Sequence, residues 1–220
     1  MENLRSCNFG RAAKPGVFLI CLVPLGTLLV NGIQGDLGPN PVEAVTHFTG
    51  DWALRFLLIA LGVTPLRRLI GHAWPMRFRR MLGLFAFFYA SLHLTTYLWL
   101  DQFFAWDAII EDIIKRPFIT VGFAAFLLMV PLALTSTRSA MRRLGRHWQR
   151  LHRLVYLVGL LAVLHFLWLV KADPFEPLAY GAILAVLLSF RVPWSALGKK
   201  PLGAKPEPVA SPDRLEERYR

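Results

Sequence analysis

Residues 79–93, Arg-Arg-Met-Leu-Gly-Leu-Phe-Ala-Phe-Phe-Tyr-Ala-Ser-Leu-His, decide how this chain is read. Two arginines open the stretch, apolar side chains fill it, and one histidine, His93, closes it. The apolar run continues to Leu100, a length that crosses a membrane as a helix. Lipid offers no hydrogen bonds, so an ionisable side chain at that depth is costly and marks a functional site with a partner. A second such histidine, His165, lies at comparable depth in the apolar run Leu151–Val170.

Composition agrees with a membrane protein. Of 220 residues, 55% are hydrophobic and 18% charged, and the mean hydropathy is +0.45, too apolar for an ordinary soluble domain. The net charge of +11 does not point to nucleic acid, because the basic residues fall in short blocks between apolar runs. Those runs are Val17–Ile33, Trp52–Leu66, Leu82–Leu100, Phe118–Leu134, Leu151–Val170 and Pro177–Phe190. The expected fold is therefore an all-α membrane bundle of six transmembrane helices. Residues 1–16 form an N-terminal tail, 17–193 the membrane domain and 194–220 a basic, Pro-rich tail containing Pro201, Pro206, Pro208 and Pro212. No A-x-A-like cleavage site follows the first run, which is read as a retained helix. No tandem repeat is visible, and the two cysteines, Cys7 and Cys21, supply neither a disulfide framework nor a thiolate metal site.

Orientation follows from the Lys and Arg distribution. Arg5, Arg11 and Lys14, then Arg67, Arg68, Arg77, Arg79 and Arg80, then Arg138, Arg142, Arg143, Arg146 and Arg150 occupy alternate connections. Residues 34–51 contain no Lys or Arg, the 101–117 segment carries Asp101, Asp107, Glu111 and Asp112 against Lys115 and Arg116, and the last connection has only Lys171. The positive-inside rule then places both termini in the cytoplasm of a multi-pass protein.

The six histidines sort by depth. His93 and His165 lie inside spans, His152 at the cytoplasmic start of its span, His147 and His72 in cytoplasmic connections and His47 in an outer one. Arg79 and His93 are 14 residues apart (93 − 79), nearly four turns and about 21 Å along a helix. His152 and His165 are 13 apart (165 − 152), about 20 Å. One helix pair thus frames two stacked sites, an outer one with His93 and His165 and an inner one with Arg79 and His152. Two facing imidazoles are what a six-coordinate haem iron requires. The plainer alternative for His93 by itself is a core histidine bonded to a backbone carbonyl or a serine. At the inner site a guanidinium has no lone pair for iron, but it suits a haem propionate, a flavin phosphate or a quinone oxygen. His152 is open to three roles: axial ligand, proton acceptor or interfacial hydrogen-bonding residue. Gly62, Gly83, Gly122 and Gly159 allow close helix contact or make room for a flat macrocycle. A rival function is a proton or ion transporter in which the two histidines relay protons, and a third is a passive membrane anchor.

Seven phrases in order carry a resemblance: His-Phe-Thr-Gly at 47–50, Thr-Pro-Leu-Arg at 64–67, Arg-Arg-Met-Leu-Gly-Leu at 79–84, Ser-Leu-His-Leu-Thr-Thr-Tyr at 91–97, Lys-Arg-Pro-Phe at 115–118, Leu-Gly-Arg-His-Trp-Gln-Arg-Leu-His at 144–152 and Leu-His-Phe-Leu-Trp at 164–168. Together they resemble the ferric reductase-like transmembrane family. The resemblance implies a haem b electron-transfer subunit of a periplasmic methionine sulfoxide reductase system. Such a subunit takes electrons from quinol, or from a separate cytoplasmic flavin reductase, and passes them to a soluble molybdopterin-containing catalytic partner. It implies His93 and His165 as haem ligands, His152 with Arg79 at a second haem, flavin or quinol site, one haem b or two, and bound FMN. Arg79 stands where two-haem relatives place a histidine. No nucleotide-binding domain follows the membrane part and no outer-loop cysteine could ligate molybdenum, so a partner is expected to perform the sulfoxide chemistry. The acidic 101–112 segment is a candidate docking surface.

Overall fold

The computed structural model describes residues 2–170 and 174–191, all helix and connection, with no β-strand among them. The sequence-assigned tail 194–220 and Lys171 lie outside the described residues. Helices α1 (Glu2–Gln34), α2 (Pro41–Ile70), α3 (Arg79–Thr95), α4 (Trp106–Lys115), α5 (Pro117–Leu134), α6 (Arg138–Leu144), α7 (Arg146–Leu151), α8 (Leu154–Leu169) and α9 (Phe175–Ser189) follow in order. A 3₁₀ turn at Trp74–Arg77 precedes α3, and a π turn at Thr96–Asp101 extends it. Four stretches are long and apolar enough to cross a membrane: Ala13–Gln34, Arg79–Asp101, Pro117–Leu134 and Arg146–Leu169. Helix α2 is long but carries Asp51 and Arg55 within its apolar part, and α9 is apolar but shorter.

Local chemistry sets the ends that matter. Asn40 caps α2, its side chain accepting the Glu43 N–H at 3.4 Å ahead of Pro41. A proline at the first helical position loses nothing, since that N–H has no helical partner. At the other end Gly71 takes φ +70° and returns its N–H to the Arg67 carbonyl at 3.1 Å, a left-handed stop that glycine adopts without a Cβ penalty. Pro117 likewise starts α5 directly after α4.

Two antiparallel hairpins form the frame, α2 against α3 and α5 against α8, with α3 meeting α5, α8 meeting α9, and α1 lying along α2 and α3. Their shared core contains Phe56, Leu57, Phe85, Ala86, Tyr89 and Val158. The Phe56 and Tyr89 rings stack at 5.2 Å. Tyr89 is fully buried, and its hydroxyl donates to the Cys21 carbonyl at 3.0 Å while accepting the Leu25 N–H at 3.1 Å. A helix ordinarily joins those two groups to each other, and Pro24 lies between them, so the tyrosine is a polar rivet set into the backbone of α1. Outward-facing Leu19, Ile20, Leu29, Ile33, Leu134 and Val186 are more than half exposed, a distribution that suits lipid as solvent.

Helix α1 begins at Glu2, ahead of the apolar run. The structure corrects two sequence readings. The 101–117 segment, read as an acidic loop, contains the ten-residue helix α4. Ile109 is buried beneath that helix while Asp107 and Glu111 point outward. The span read as continuous from Leu151 breaks at His152 and Arg153 before α8 begins.

Candidate cofactor site

His93 and His165 meet. Their ring centres are 6.1 Å apart and their planes nearly perpendicular at 78°. Nδ1 of His93 bonds the Thr46 carbonyl on α2 at 2.9 Å, and Nδ1 of His165 bonds the Phe118 carbonyl on α5 at 2.7 Å. A carbonyl only accepts, so each Nδ1 carries the proton and each Nε2 keeps its lone pair. Both rings line one cavity of about 480 Å³, within the ~300–1,000 Å³ range of ligand sites. Thr96, at the start of the π turn, donates its hydroxyl to the His93 carbonyl at 2.8 Å, and Thr46 donates to Thr96 at 3.3 Å. The turn after His93 is thereby tied to the element that orients the ring. Such π turns concentrate at functional sites.

The two halves of the site share one register. Each histidine bonds a carbonyl 47 residues upstream. Four residues beyond each carbonyl is a glycine, Gly50 and Gly122, against which the imidazole lies. Carbonyl, glycine and histidine all correspond at an offset of 72 residues (118 − 46, 122 − 50, 165 − 93). A Cβ on Gly50 would stand 3.0 Å from Nδ1 of His93, and one on Gly122 would stand 2.7 Å from Nδ1 of His165. No tandem repeat shows in the sequence because little beyond these positions is shared.

This donor set fits a particular kind of ligand. Among the described residues no three His, Cys, Asp or Glu side chains gather into a metal site, so a bare cation would find too few ligands. Two imidazoles suffice for a metal that brings four equatorial donors of its own, as haem iron does. With metal–nitrogen bonds of about 2.05 Å and about 1.1 Å from nitrogen to ring centre, opposed imidazoles on one ion have centres about 6.3 Å apart. The observed 6.1 Å matches that spacing. The plainer expectation for His93, a bond to a backbone carbonyl, is also present and is repeated at His165, and it is the arrangement that holds a ligand imidazole in its reactive tautomer.

Arg79 and His152 lie at the other end of the hairpins. Arg79 opens α3, close enough to His152 to act on it electrostatically. His152 sits in the turn between α7 and α8, stacked on Trp148 with ring centres 3.9 Å apart. Its Nδ1 faces the Trp148 carbonyl at 3.2 Å and its Nε2 faces the Ser136 hydroxyl at 3.4 Å. Trp148 donates to the Thr135 carbonyl at 3.0 Å, fixing the stack. The structure thus brings Arg79 and His152 into one neighbourhood, but no ring contact joins His152 to a second histidine among the described residues. Sequence reasoning missed Gly50, which signals itself only as the last residue of the His-Phe-Thr-Gly phrase, and it left His47, a cavity-lining residue, in an outer loop.

Known proteins resemble this chain in sequence. The family model described as the ferric reductase like transmembrane component matches residues 49–163. The chain is 60% identical over 195 residues to the protein-methionine-sulfoxide reductase heme-binding subunit MsrQ of Xanthomonas campestris pv. campestris strain 8004, covering 86% of this chain and 89% of that protein. It is 51% identical over 185 residues to the MsrQ of Herminiimonas arsenicoxydans, covering 83% and 85%. No solved structure matches the chain. The hairpins, the paired imidazoles and these likenesses agree, and the chain belongs to the ferric reductase-like transmembrane family, in its MsrQ branch.

Proposed function

We propose that the chain is the membrane electron-transfer subunit of a methionine sulfoxide reductase system, holding haem b between His93 and His165. The observation that carries this reading is the imidazole pair, with ring centres 6.1 Å apart on one cavity, each with Nδ1 committed to a carbonyl and Nε2 without a hydrogen-bond partner among the described residues. The names of its relatives, heme-binding subunits of protein-methionine-sulfoxide reductase, support it.

Six spans are assigned to α1, α2, α3 with its π turn, α5, α7 with α8, and α9. The arginine-rich ends of the hairpins face the cytoplasm of a bacterial inner membrane, with both termini on that side, and the paired histidines lie towards the periplasm. Haem b supplies a one-electron couple there. The chain does the rest: Thr46 and Phe118 aim the ligand nitrogens, Gly50 and Gly122 clear the space beside the rings, and Leu57, Met129 and Val158 keep water from the depth of the cavity. At the cytoplasmic end Arg79 and His152 receive the donor. A guanidinium suits a quinol oxygen or an FMN phosphate, and His152 would take one of the two protons a quinol releases on oxidation, the other passing to water at the membrane surface. Electrons leave on the periplasmic side to a molybdopterin-containing catalytic subunit, which performs the sulfoxide reduction in a heterodimer with this chain.

The test is the absorption spectrum of the purified chain. A Soret band with sharp reduced α and β bands, lost in His93→Ala and in His165→Ala, is expected. A folded, colourless wild-type preparation would refute the reading and favour proton transport.

A further inference from the structure

We propose that Arg116 binds a carboxylate of the haem at the mouth of the cavity and biases the cofactor towards its reduced state. This deepens the proposed function and rests on haem lying between His93 and His165. Among the cavity's lining residues Leu57 and Val158 are buried and Met129 half-buried, whereas Asn40, Asp101 and Arg116 are exposed, so the apolar lining lies at depth and the polar lining at the mouth. Haem carries its two carboxylates on one edge, and burying that edge among aliphatic side chains would leave two unpaired charges. The edge therefore belongs at the mouth. Of the described lining residues Arg116 is the only lysine or arginine, against the acids Glu43, Asp51 and Asp101.

Arg116 is also held ready. It is the junction of α4 and α5: its N–H reaches the Asp112 carbonyl at 2.9 Å and its own carbonyl accepts the Ile119 N–H at 2.9 Å. Nε pairs with Asp112 Oδ1 at 3.0 Å. The other oxygen of Asp112 accepts from the Tyr97 hydroxyl and from Gln102 Nε2, each at 3.2 Å. Asp112 is thus fixed by three partners, and through Nε it steadies the guanidinium. The terminal nitrogens have no partner among the described residues and keep the fork geometry that suits a carboxylate. Two residues on, Phe118 supplies the carbonyl that orients His165. The Lys-Arg-Pro-Phe phrase at 115–118 accordingly sets one ligand and one counter-charge from a single turn of chain.

Reduction adds a negative charge to the cofactor, so a fixed cation at its edge favours the reduced form. The Arg116 side chain is 57% exposed, and solvent screens it. The expected effect is therefore modest. In spectroelectrochemical titration of the haem-loaded full chain, Arg116→Gln should weaken the reduction equilibrium about threefold, a downward shift of about 28 mV for one electron at about 59 mV per tenfold. Arg116→Lys should keep most of the wild-type value, and Arg143→Gln, on α6 and away from the cavity, should leave it unchanged. A second measurement needs no variant: in competition for the wild-type chain, the dimethyl ester of the cofactor should be retained at least several-fold less than the free acid. Equal retention of acid and ester, an unmoved potential in Arg116→Gln, or equal shifts in Arg116→Gln and Arg143→Gln would each overturn the proposal. A wild-type chain without pigment would instead remove the proposed function itself, whereas a pigmented chain with an unmoved Arg116→Gln removes this inference alone.

Discussion

Alanine at Gly122 tests whether the cavity was shaped for an imidazole in one position. The added Cβ would stand 2.7 Å from His165 Nδ1, 2.8 Å from Cε1 and 3.2 Å from Cγ. Ordinary contact begins at 3.4 Å, so the ring must retreat by at least 0.7 Å (3.4 − 2.7). That retreat is away from α5, the helix that also supplies the Phe118 carbonyl, and it stretches the 2.7 Å hydrogen bond past the ~3.2 Å limit of a good one. Losing the partner that orients a ligand histidine typically costs about 10–100-fold in metal affinity, and a loss of about that size is expected for haem. Gly50→Ala needs only 0.4 Å (3.4 − 3.0), so a smaller loss is expected, under about tenfold. A Cβ on Gly83 would meet nothing within 4 Å, and alanine there should leave the pigment intact. Alanine adds about 1 kcal/mol of helix propensity in all three variants, and a thermal midpoint measured beside the pigment content separates loss of fold from loss of colour. Haem-to-protein ratio after purification, followed by cofactor titration, reads the series. Full, tightly held pigment in Gly122→Ala, or equal losses in Gly122→Ala and Gly83→Ala, would refute the reasoning.

Three further outcomes are expected. Truncating either ligand, His93→Ala or His165→Ala, removes the main pigment, and a double variant that keeps all its colour would remove the assignment. Arg79→Ala keeps the pigment but slows its reduction by a soluble quinol in stopped-flow absorbance, and an unchanged rate would detach Arg79 from the donor site. Tyr89→Phe leaves a backbone carbonyl and a backbone N–H of α1 without their bridge, which costs about 1–3 kcal/mol. It should lower the thermal midpoint of the detergent-solubilised chain while leaving the absorption spectrum unchanged.

The legible part of this molecule is the part that physics writes in long runs. Span boundaries at Phe118–Leu134 and Leu82–Leu100 lie within a few residues of α5 and of α3 with its π turn, because a long apolar run has little choice of conformation in lipid. The depth of His93 and His165 followed from the same runs, and depth alone brought the two together. What stayed hidden depends on single contacts between distant segments. The carbonyls of Thr46 and Phe118 carry no side-chain signature, and Gly50 differs from any other helical glycine only by the ring beside it. Helix α4 was obscured by its acids, which mask Ile109 and Ile113 one turn apart on its cavity-lining face. The inner site was read from spacing along an unbroken helix, and the turn at His152 removes that premise while leaving Arg79 nearby.

The common register of the hairpins also shows where the two halves part. Each hairpin by itself presents one imidazole and half a pocket. Asp51 beside Gly50 answers to Phe123 beside Gly122: one wall of the pocket is acidic where its counterpart is greasy, which gives an otherwise matched cradle a direction.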